Sequence, residues 1–420
     1  MKTSVFRRLF AINFICWFYL TPALAETARP DVADVTWQNW LKNQIETHPD
    51  VVAAQQQLKA ELFLADGRRQ PLYNPALETE FEHLENENNY RFGITQTLDV
   101  WGKRTNRRQQ DEFLRLAAEQ NYAQTYQDKL TEALSELVTY QASKARYRLA
   151  SEQEQQIDTL FQLIQDRQKA GDLGQIDVNL SQASLIQKLD ETAQAMAEFQ
   201  AAETRVRELF PGLPSGKAAI PAQLWQVNPG QEPDAVLTEN HPRVLFAKAQ
   251  WAIQKEASEL ARLDTKAEPT VGINAGRDGD EDVVGLTFSI PLNVRNSFSA
   301  ERKAAAESAL SAEANYLAVR RKQQFQAQAA GRIVQQYQIQ LKRWKALLSQ
   351  NSDDSRKLLT QQWRSGDLGT NEYLLALQQN TAGALSGIAL QEKFQLAVIA
   401  WLKSTGQLKT HMLHSTQNQI

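Results

Sequence analysis

The chain has 420 residues, and its 46 Lys and Arg against 49 Asp and Glu give a formal net charge of −3. That balance argues against a nucleic-acid partner, which requires a basic face to neutralise phosphates. The single cysteine, Cys16, excludes a disulfide framework and a thiolate zinc site. Few Pro and Gly with abundant Ala, Leu, Gln and Glu favour long helices.

The first 25 residues have the pattern of a secretion signal. Basic residues within Met1–Arg8 precede an apolar stretch, Leu9–Leu20, and Ala23-Leu24-Ala25 is a small-x-small cleavage site. A retained membrane anchor is the alternative, but the apolar stretch is too short for one. We therefore predict a signal peptide over 1–25 and an N-terminal periplasmic segment over 26–47.

The remainder of the chain is a tandem duplication. His48-Pro49 is repeated 193 residues later as His241-Pro242, and Gly171-Asp172 is repeated 195 residues later as Gly366-Asp367. A unit of this length is much longer than a solenoid repeat. The predicted order is repeat 1 (48–217), a proline-containing linker (218–240), repeat 2 (241–408) and a polar tail (409–420).

Each repeat has the same predicted elements. A first helix is followed by a β-hairpin, a very long helix, a Gly-Asp-x-Gly turn and a returning helix. The predicted helices are 49–70, 106–169 and 175–210 in repeat 1, and 243–264, 300–365 and 370–405 in repeat 2. The predicted hairpins are 76–99 and 268–291.

Apolar and polar residues alternate along the hairpins, which indicates strands with one apolar face. Four strands cannot close a barrel, and open sheet edges are not tolerated in lipid. Three chains would supply 12 strands, which is within the range of outer-membrane barrels. The alternative is a periplasmic sheet whose apolar face is covered by helices. The residues predicted to face lipid are Leu77, Phe81, Phe92, Ile94, Leu98, Val271, Ile273, Leu286, Phe288 and Ile290.

Several motifs, in this order, resemble the TolC-type outer-membrane efflux family. They are Asn74-Pro75-Ala76-Leu77 at the first strand, Gln96–Arg104 after the second, and the Ala170-Gly171-Asp172 turn followed by Ile176-Asp177-Val178. The resemblance covers residues 40–408, including the duplication. Gly102-Lys103-Arg104 followed by Arg107-Arg108 is most similar to the heavy-metal (CzcC/CusC-like) branch.

The resemblance implies a mainly α protein with a membrane β-barrel portion. Three copies would form a 12-stranded barrel in the outer membrane on a 12-helix periplasmic tunnel. The implied function is a passive, gated conduit, not an enzyme and without a cofactor or metal site. Its implied partners are a periplasmic adaptor, an inner-membrane pump of the RND type and outer-membrane lipid. The implied cargo is heavy-metal cations, and the alternatives are drugs or a type I secreted polypeptide. A soluble periplasmic adaptor with a helical hairpin is less favoured, because such a protein has one hairpin and this chain has two.

The resemblance also implies roles for individual residues. Carboxylates near the turns would form a pore gate, although Leu375 stands where the family often has a second acid. The gate candidates are Glu372, Asp367, Asp177 and Asp172, and each could instead be a helix N-terminal acid. The lumen candidates are Glu78, Glu80, Glu82, Arg91 and Asn274. The adaptor-docking tips would comprise Arg167, Gly171, Leu173, Gly174, Arg364, Gly366, Leu368 and Gly369. His411 and His414 are predicted to lie in a disordered tail, while His48 and His241 are predicted to be structural.

Overall fold

The computed structural model describes residues 32–84, 87–214, 218–229, 238–350 and 353–414. The predicted signal peptide lies outside these ranges, as do parts of the predicted linker and tail. The helices are α1 (Val32–Thr47), α2 (Pro49–Arg69), α3 (Lys103–Lys169), α4 (Gln175–Leu209), α5 (Pro242–Asp264), α6 (Ser299–Gln350), α7 (Asp353–Ser365), α8 (Thr370–Ser404) and α9 (Leu408–His414). The strands are β1 (Ala76–Leu84), β2 (Glu87–Thr97), β3 (Thr270–Asp278) and β4 (Glu281–Ser289).

The long helices confirm the predicted mainly α, duplicated architecture. Helix α3 has 67 residues, which corresponds to about 100 Å at 1.5 Å per residue. Its counterpart in the second repeat consists of α6 and α7, with 351–352 between them outside the described residues. Helix α4 packs along α3, and α8 packs along α6 and α3. The two repeats therefore lie side by side and have the same arrangement of helices.

The four strands form one antiparallel sheet in the order β1-β2-β3-β4. The β2–β3 pairing joins the repeats, with Thr97 opposite Thr270. Along the sheet, Leu77, Ile94, Ile273 and Leu286 form one continuous cross-strand row. Since side chains alternate between the faces, this register collects the apolar residues of both hairpins on one side.

The largest hydrophobic core lies midway along the helices. It joins α3, α4, α6 and α8 to α1, α9 and a short 3-10 helix, Ala222–Trp225. Leu224 and Trp225 are buried in it, so this part of the predicted linker is packed structure.

The prediction of a disordered tail is wrong for residues 409–414, which Leu408 joins in one helix. They form α9, in which Leu408 and Met412 are fully buried. The His411 Nε2 atom lies 3.0 Å from the Leu224 carbonyl oxygen. The side chain of His414 lies outside the described part. The physical reason is the i, i+4 spacing of Leu408 and Met412, which gives a short helix one apolar stripe.

A tryptophan fills a notch in α8. The Trp344 indole donates to the Gly383 carbonyl at 3.2 Å, and its Cζ2 atom lies 2.0 Å from the position of a Cβ built on Gly387. No atom lies within 4 Å of a Cβ built on Gly383. Only one of these two glycines, one turn apart, is therefore required by packing.

Replacing Gly387 by alanine should lower the unfolding free energy by about 1–3 kcal/mol, because the anchored indole must move. Replacing Gly383 by alanine should raise it by up to about 1 kcal/mol through helix propensity. Thermal unfolding of the two variants tests this contrast. Equal effects would mean that Trp344 does not occupy the notch.

Both His-Pro pairs cap helices, which confirms their predicted structural role. The His48 Nδ1 atom accepts from the Asp50 N–H at 3.3 Å, and the His241 Nδ1 atom accepts from the Arg243 N–H at 3.1 Å. His241 is buried, and its Nε2 atom lies 3.0 Å from the Lys403 carbonyl oxygen. Burial lowers the pKa of His241. The neutral ring thus connects the start of α5 to the end of α8.

The lowered pKa of His241 predicts acid sensitivity. The unfolded state takes up the proton more readily, so stability should fall as pH drops below the ordinary histidine value of about 6.5. His241→Asn keeps a capping oxygen and should flatten this part of the pH profile of the melting temperature. His48→Asn is the matched control, because His48 caps repeat 1 in the same way. An unchanged profile in His241→Asn would contradict the assignment.

Candidate functional sites: the sheet faces and the helical tips

The apolar face of the sheet is uncovered in the single chain. Leu286 is 86 % exposed, Val284 85 % and Phe81 74 %. All ten residues predicted to face lipid are exposed, at values from 38 % to 86 %. A sheet in a water-soluble protein buries such a face against other elements.

The opposite face is polar and tightly curved. Within β3 and β4 its residues are less exposed than their apolar neighbours. A Cβ built on Gly276 would lie 2.0 Å from the Tyr90 carbonyl oxygen, and one on Gly272 would lie 2.6 Å from the Thr95 Cγ2 atom. Only glycine permits so close an approach, so the sheet curls toward its polar side. The signal in the sequence that could have predicted this curvature is the even spacing of glycines such as Gly272 and Gly276.

The predicted lumen residues share this polar face. Asn274 donates to the Thr287 hydroxyl at 2.9 Å, and the Thr95 hydroxyl donates to Glu78 at 3.1 Å. Arg91 lies 3.9 Å from a Glu80 oxygen and 3.4 Å from an Asp278 oxygen. Glu82 is exposed beyond them. The register therefore brings all five lumen candidates to one face of the sheet.

Each helical hairpin ends in a left-handed glycine. The φ angles are +85° at Gly171 and +86° at Gly366, a conformation that costs glycine little. The N–H of Asp172 donates to the Arg167 carbonyl at 2.9 Å, and that of Leu368 donates to the Gln362 carbonyl at 3.1 Å. The backbone carbonyls at both helix ends are thereby satisfied. Among the other tip residues, Gly174, Arg364 and Gly369 are exposed, and Leu173 and Leu368 pack on the nearby core.

The predicted gate carboxylates lie beside these turns. Asp177 accepts from the Gly174 N–H at 3.3 Å, and Glu372 accepts from the Gly369 N–H at 3.2 Å. The two acids are thus equivalent caps at the third position of α4 and α8. Asp367 accepts from the Ser365 hydroxyl at 2.7 Å, and Asp172 is exposed. A capping role does not exclude a role in a pore, which stays a prediction.

The sequence did not predict an aromatic stack that lies at the second tip. The Trp363 and Tyr373 rings stack at 5.1 Å with an angle of 11°, and the Arg167 guanidinium lies 5.6 Å from the Trp363 ring. Arg167 belongs to the first tip and both rings belong to the second, so the contact of Arg167 with Trp363 joins the two hairpins. A groove of about 500 Å³ between α3, α7 and α8 has these aromatics in its wall.

A buried polar network connects the sheet to the helices. Glu268 is 6 % exposed, and it accepts from the Tyr73 hydroxyl and lies 3.5 Å from the Lys103 Nζ atom. Burial, together with Glu268, raises the pKa of Tyr73 to about 12. Burial alone would raise the pKa of Asp99, but the Arg104 and Lys103 backbone N–H groups donate to it and the net pKa is lowered. These contacts fix the angle at which strands and helices meet.

The described ranges hold neither a candidate metal centre nor a helix that could span a bilayer. They contain no group of three His, Cys, Asp or Glu residues that could hold a metal ion. In the same ranges, no helix has the length and apolar character needed to cross a bilayer.

Residues 40–210 match the family model described as outer membrane efflux protein. No curated protein sequence matches the chain significantly. Among solved structures, the outer-membrane channel OprN has a TM-score of 0.72 at 19% identity, covering 88% of this chain and 90% of its own. CusC has a TM-score of 0.72 at 14% identity, with 92% and 98% covered. The open-state channel MtrE from Neisseria gonorrhoeae has a TM-score of 0.72 at 12% identity, with 89% and 90% covered. These structural likenesses establish the fold.

Proposed function

We propose that this chain belongs to the TolC-type outer membrane efflux protein family and is one third of a trimeric export duct. The family acts as passive outer-membrane channels in tripartite efflux systems and not as enzymes. In the proposed trimer, three sheets close into a 12-stranded barrel and the helices form a 12-helix periplasmic tunnel. An adaptor and an inner-membrane pump complete the system.

The observation that supports the proposal is the distribution of apolar and polar residues over the two faces of the sheet. Its apolar face is uncovered, while its polar face is curved inward and lined with charged and hydroxyl groups. Burying the apolar residues is worth roughly 25 cal/mol per Å², and lipid supplies that burial. The free edges of β1 and β4 carry unpaired backbone groups, which lipid does not tolerate. Pairing with the edges of two further copies satisfies them.

Oligomeric mass and fractionation test the proposal together. The protein should be recovered from the outer membrane, and its detergent complex should have the mass of three chains after subtraction of bound detergent. The native trimer should also migrate differently before and after heating. Recovery as a stable monomer in the soluble periplasmic fraction would refute the duct and would favour the adaptor alternative.

In the proposed trimer, Glu372 contributes one carboxylate from each copy to a ring near the tunnel tip. Narrow rings of like charge attract cations and repel anions. Glu372→Gln removes the charge and retains an oxygen that can cap α8, so it should reduce the cation preference by roughly half in planar-bilayer conductance. Asp158→Asn, an exposed carboxylate on α3, is the matched control. Unchanged ion selectivity in Glu372→Gln would remove this residue from the gate.

The two tips are the proposed docking surface for the adaptor. Both glycine turns are exposed. Arg364, next to the second turn, is also exposed and lines the groove between α3, α7 and α8. Replacing Gly366 by valine would impose a side chain on a left-handed residue and should weaken adaptor capture. The same substitution at helical Gly67, where no atom lies within 4 Å of a built Cβ, is the comparison.

Heavy-metal cations are the proposed cargo, and Gly102-Lys103-Arg104 with the following arginines supports this choice. Drugs or a secreted polypeptide are the alternatives, since the fold is shared by several different channels, among them OprN, CusC and MtrE. A deletion strain should lose metal tolerance. Lost drug tolerance with intact metal tolerance would assign the duct to drug efflux.

A further inference from the structure

Four cations recur at equivalent places in the two repeats, immediately below the sheet. Arg107 and Arg108 lie in the first two turns of α3, and Arg302 and Lys303 lie in the first two turns of α6. The two pairs are 195 residues apart, the same offset that relates the glycine turns at the tips. We call these four residues the basic belt.

Intramolecular interactions do not account for the basic belt. Three of its side chains are exposed, and Arg107 is half-buried. Among the described residues, none of the four has a carboxylate oxygen within 4.0 Å of its charged nitrogens. Cations are also unfavourable at a helix N-terminus, where the macrodipole favours negative charge. The first six residues of α3 nevertheless contain four cations and no carboxylate.

The carboxylates before and at the starts of α3 and α6 are mostly engaged elsewhere. Asp99 accepts two backbone N–H groups, and Asp264 lies 3.0 Å from the Lys103 Nζ atom. Glu268 is buried. Glu301, in the first turn of α6, is exposed and partly offsets the second cation pair. Glu112 and Glu307 are exposed one turn after Arg108 and Lys303, so the excess of positive charge is confined to the helix starts and is strongest in repeat 1, where the first turn of α3 has no carboxylate.

The basic belt begins where the exposed apolar surface ends. After β2 that surface continues through Leu98, Val100 and Trp101, and after β4 it continues through Ile290, Leu292 and Val294. Arg295 follows directly, and the Lys266 Nζ atom lies 4.3 Å from the Trp101 ring centroid. An apolar band bordered by an indole and then by cations is the pattern of a bilayer interface.

We infer that the basic belt binds the phosphodiester headgroups of anionic phospholipids in the periplasmic leaflet. This rests on the proposed membrane function. Arginine and lysine beside a bilayer attract anionic lipid with roughly fivefold preference for each well-placed cation. In the proposed trimer the belt is repeated three times, which gives six cation pairs around the barrel. Zwitterionic lipid lacks the net charge that would satisfy them.

The test reconstitutes the purified protein in bilayers of four parts phosphatidylcholine to one part phosphatidylglycerol. The lipids retained after gentle detergent extraction are then quantified by mass spectrometry. The wild type should retain phosphatidylglycerol enriched at least about fivefold over the bulk bilayer. A variant with glutamine at Arg107, Arg108, Arg302 and Lys303 should lose most of that enrichment.

A matched variant replaces four exposed cations farther along α6 by glutamine, at Arg321, Lys322, Lys342 and Arg343. These lie roughly 30–60 Å below the belt along the helix and should leave the enrichment intact. Enrichment that survives in the belt variant overturns the inference. The inference is also overturned if free inorganic phosphate competes with phosphatidylglycerol on equal terms for the protein, because that would indicate a small-anion site. Failure of the wild type to insert into the mixed bilayer at all would instead refute the proposed membrane function itself.

Discussion

Replacing Leu286 by arginine should prevent the protein from assembling in the outer membrane. Leu286 is at the middle of β4, 86 % exposed, in the row that contains Leu77, Ile94 and Ile273. An arginine on the lipid face of a barrel near the bilayer midplane costs about 2–4 kcal/mol. A trimer would contain three such arginines and would bear this free-energy cost three times. The heat-modifiable oligomer should therefore disappear from membrane fractions.

The control for Leu286→Arg is the same substitution at the next residue. Thr287 lies on the polar face, opposite Gly272, where a long side chain can extend into water. Thr287→Arg should therefore assemble normally and change only the conductance. If both variants assemble equally well, the apolar face does not contact lipid and the assignment of the two faces is wrong.

Replacing Asp111 by alanine should clearly destabilise the helical part. Its side chain is fully buried, pairs with Arg69 and lies 3.1 Å from the Arg115 Nε atom. Arg69 is 46% exposed and Arg115 keeps its contact with Asp66, so the cost is that of the lost charged hydrogen bonds, about 1.5–3 kcal/mol. The melting temperature of the variant should fall by several degrees.

Asp66→Ala tests whether burial is the reason. Asp66 pairs with the same Arg115, at 2.6 Å, but its side chain is 58% exposed. Pairs of this kind contribute at most about 1 kcal/mol, so Asp66→Ala should melt close to the wild type. Equal losses in the two variants would show that burial of Asp111 does not determine its contribution.

Local patterns in the sequence were sufficient for the hairpins and the glycine turns. Alternation along Leu77–Glu82 and the Gly-Asp-x-Gly motifs depend on neighbouring residues only, and both predictions agree with the structure. The pairing of β2 with β3 could not be read in the same way. It joins Thr97 to Thr270, and no local pattern fixes the register between such distant segments.

The missed features involve contacts between distant segments. Prolines at 221 and 229 indicated a linker, while Leu224 and Trp225 were buried by helices far away in sequence. The Trp363–Tyr373 stack with Arg167 depends on how the two hairpins pack. Glu268 and Asp111 were unremarkable acids in the sequence, because only the fold shows that water is excluded from them.

The Trp363–Tyr373 stack also makes the two tips chemically unequal. At the corresponding positions of the first tip, 195 residues earlier, the chain has Gln168 and Val178. A ring built from three chains would then contain six tips of two alternating kinds, one with the stacked rings of Trp363 and Tyr373 and one with Gln168 and Val178 in their place. A binding protein with threefold symmetry could bind such a ring of tips through a single contact repeated three times. A binding protein with six equivalent binding elements would have to accept both kinds of tip.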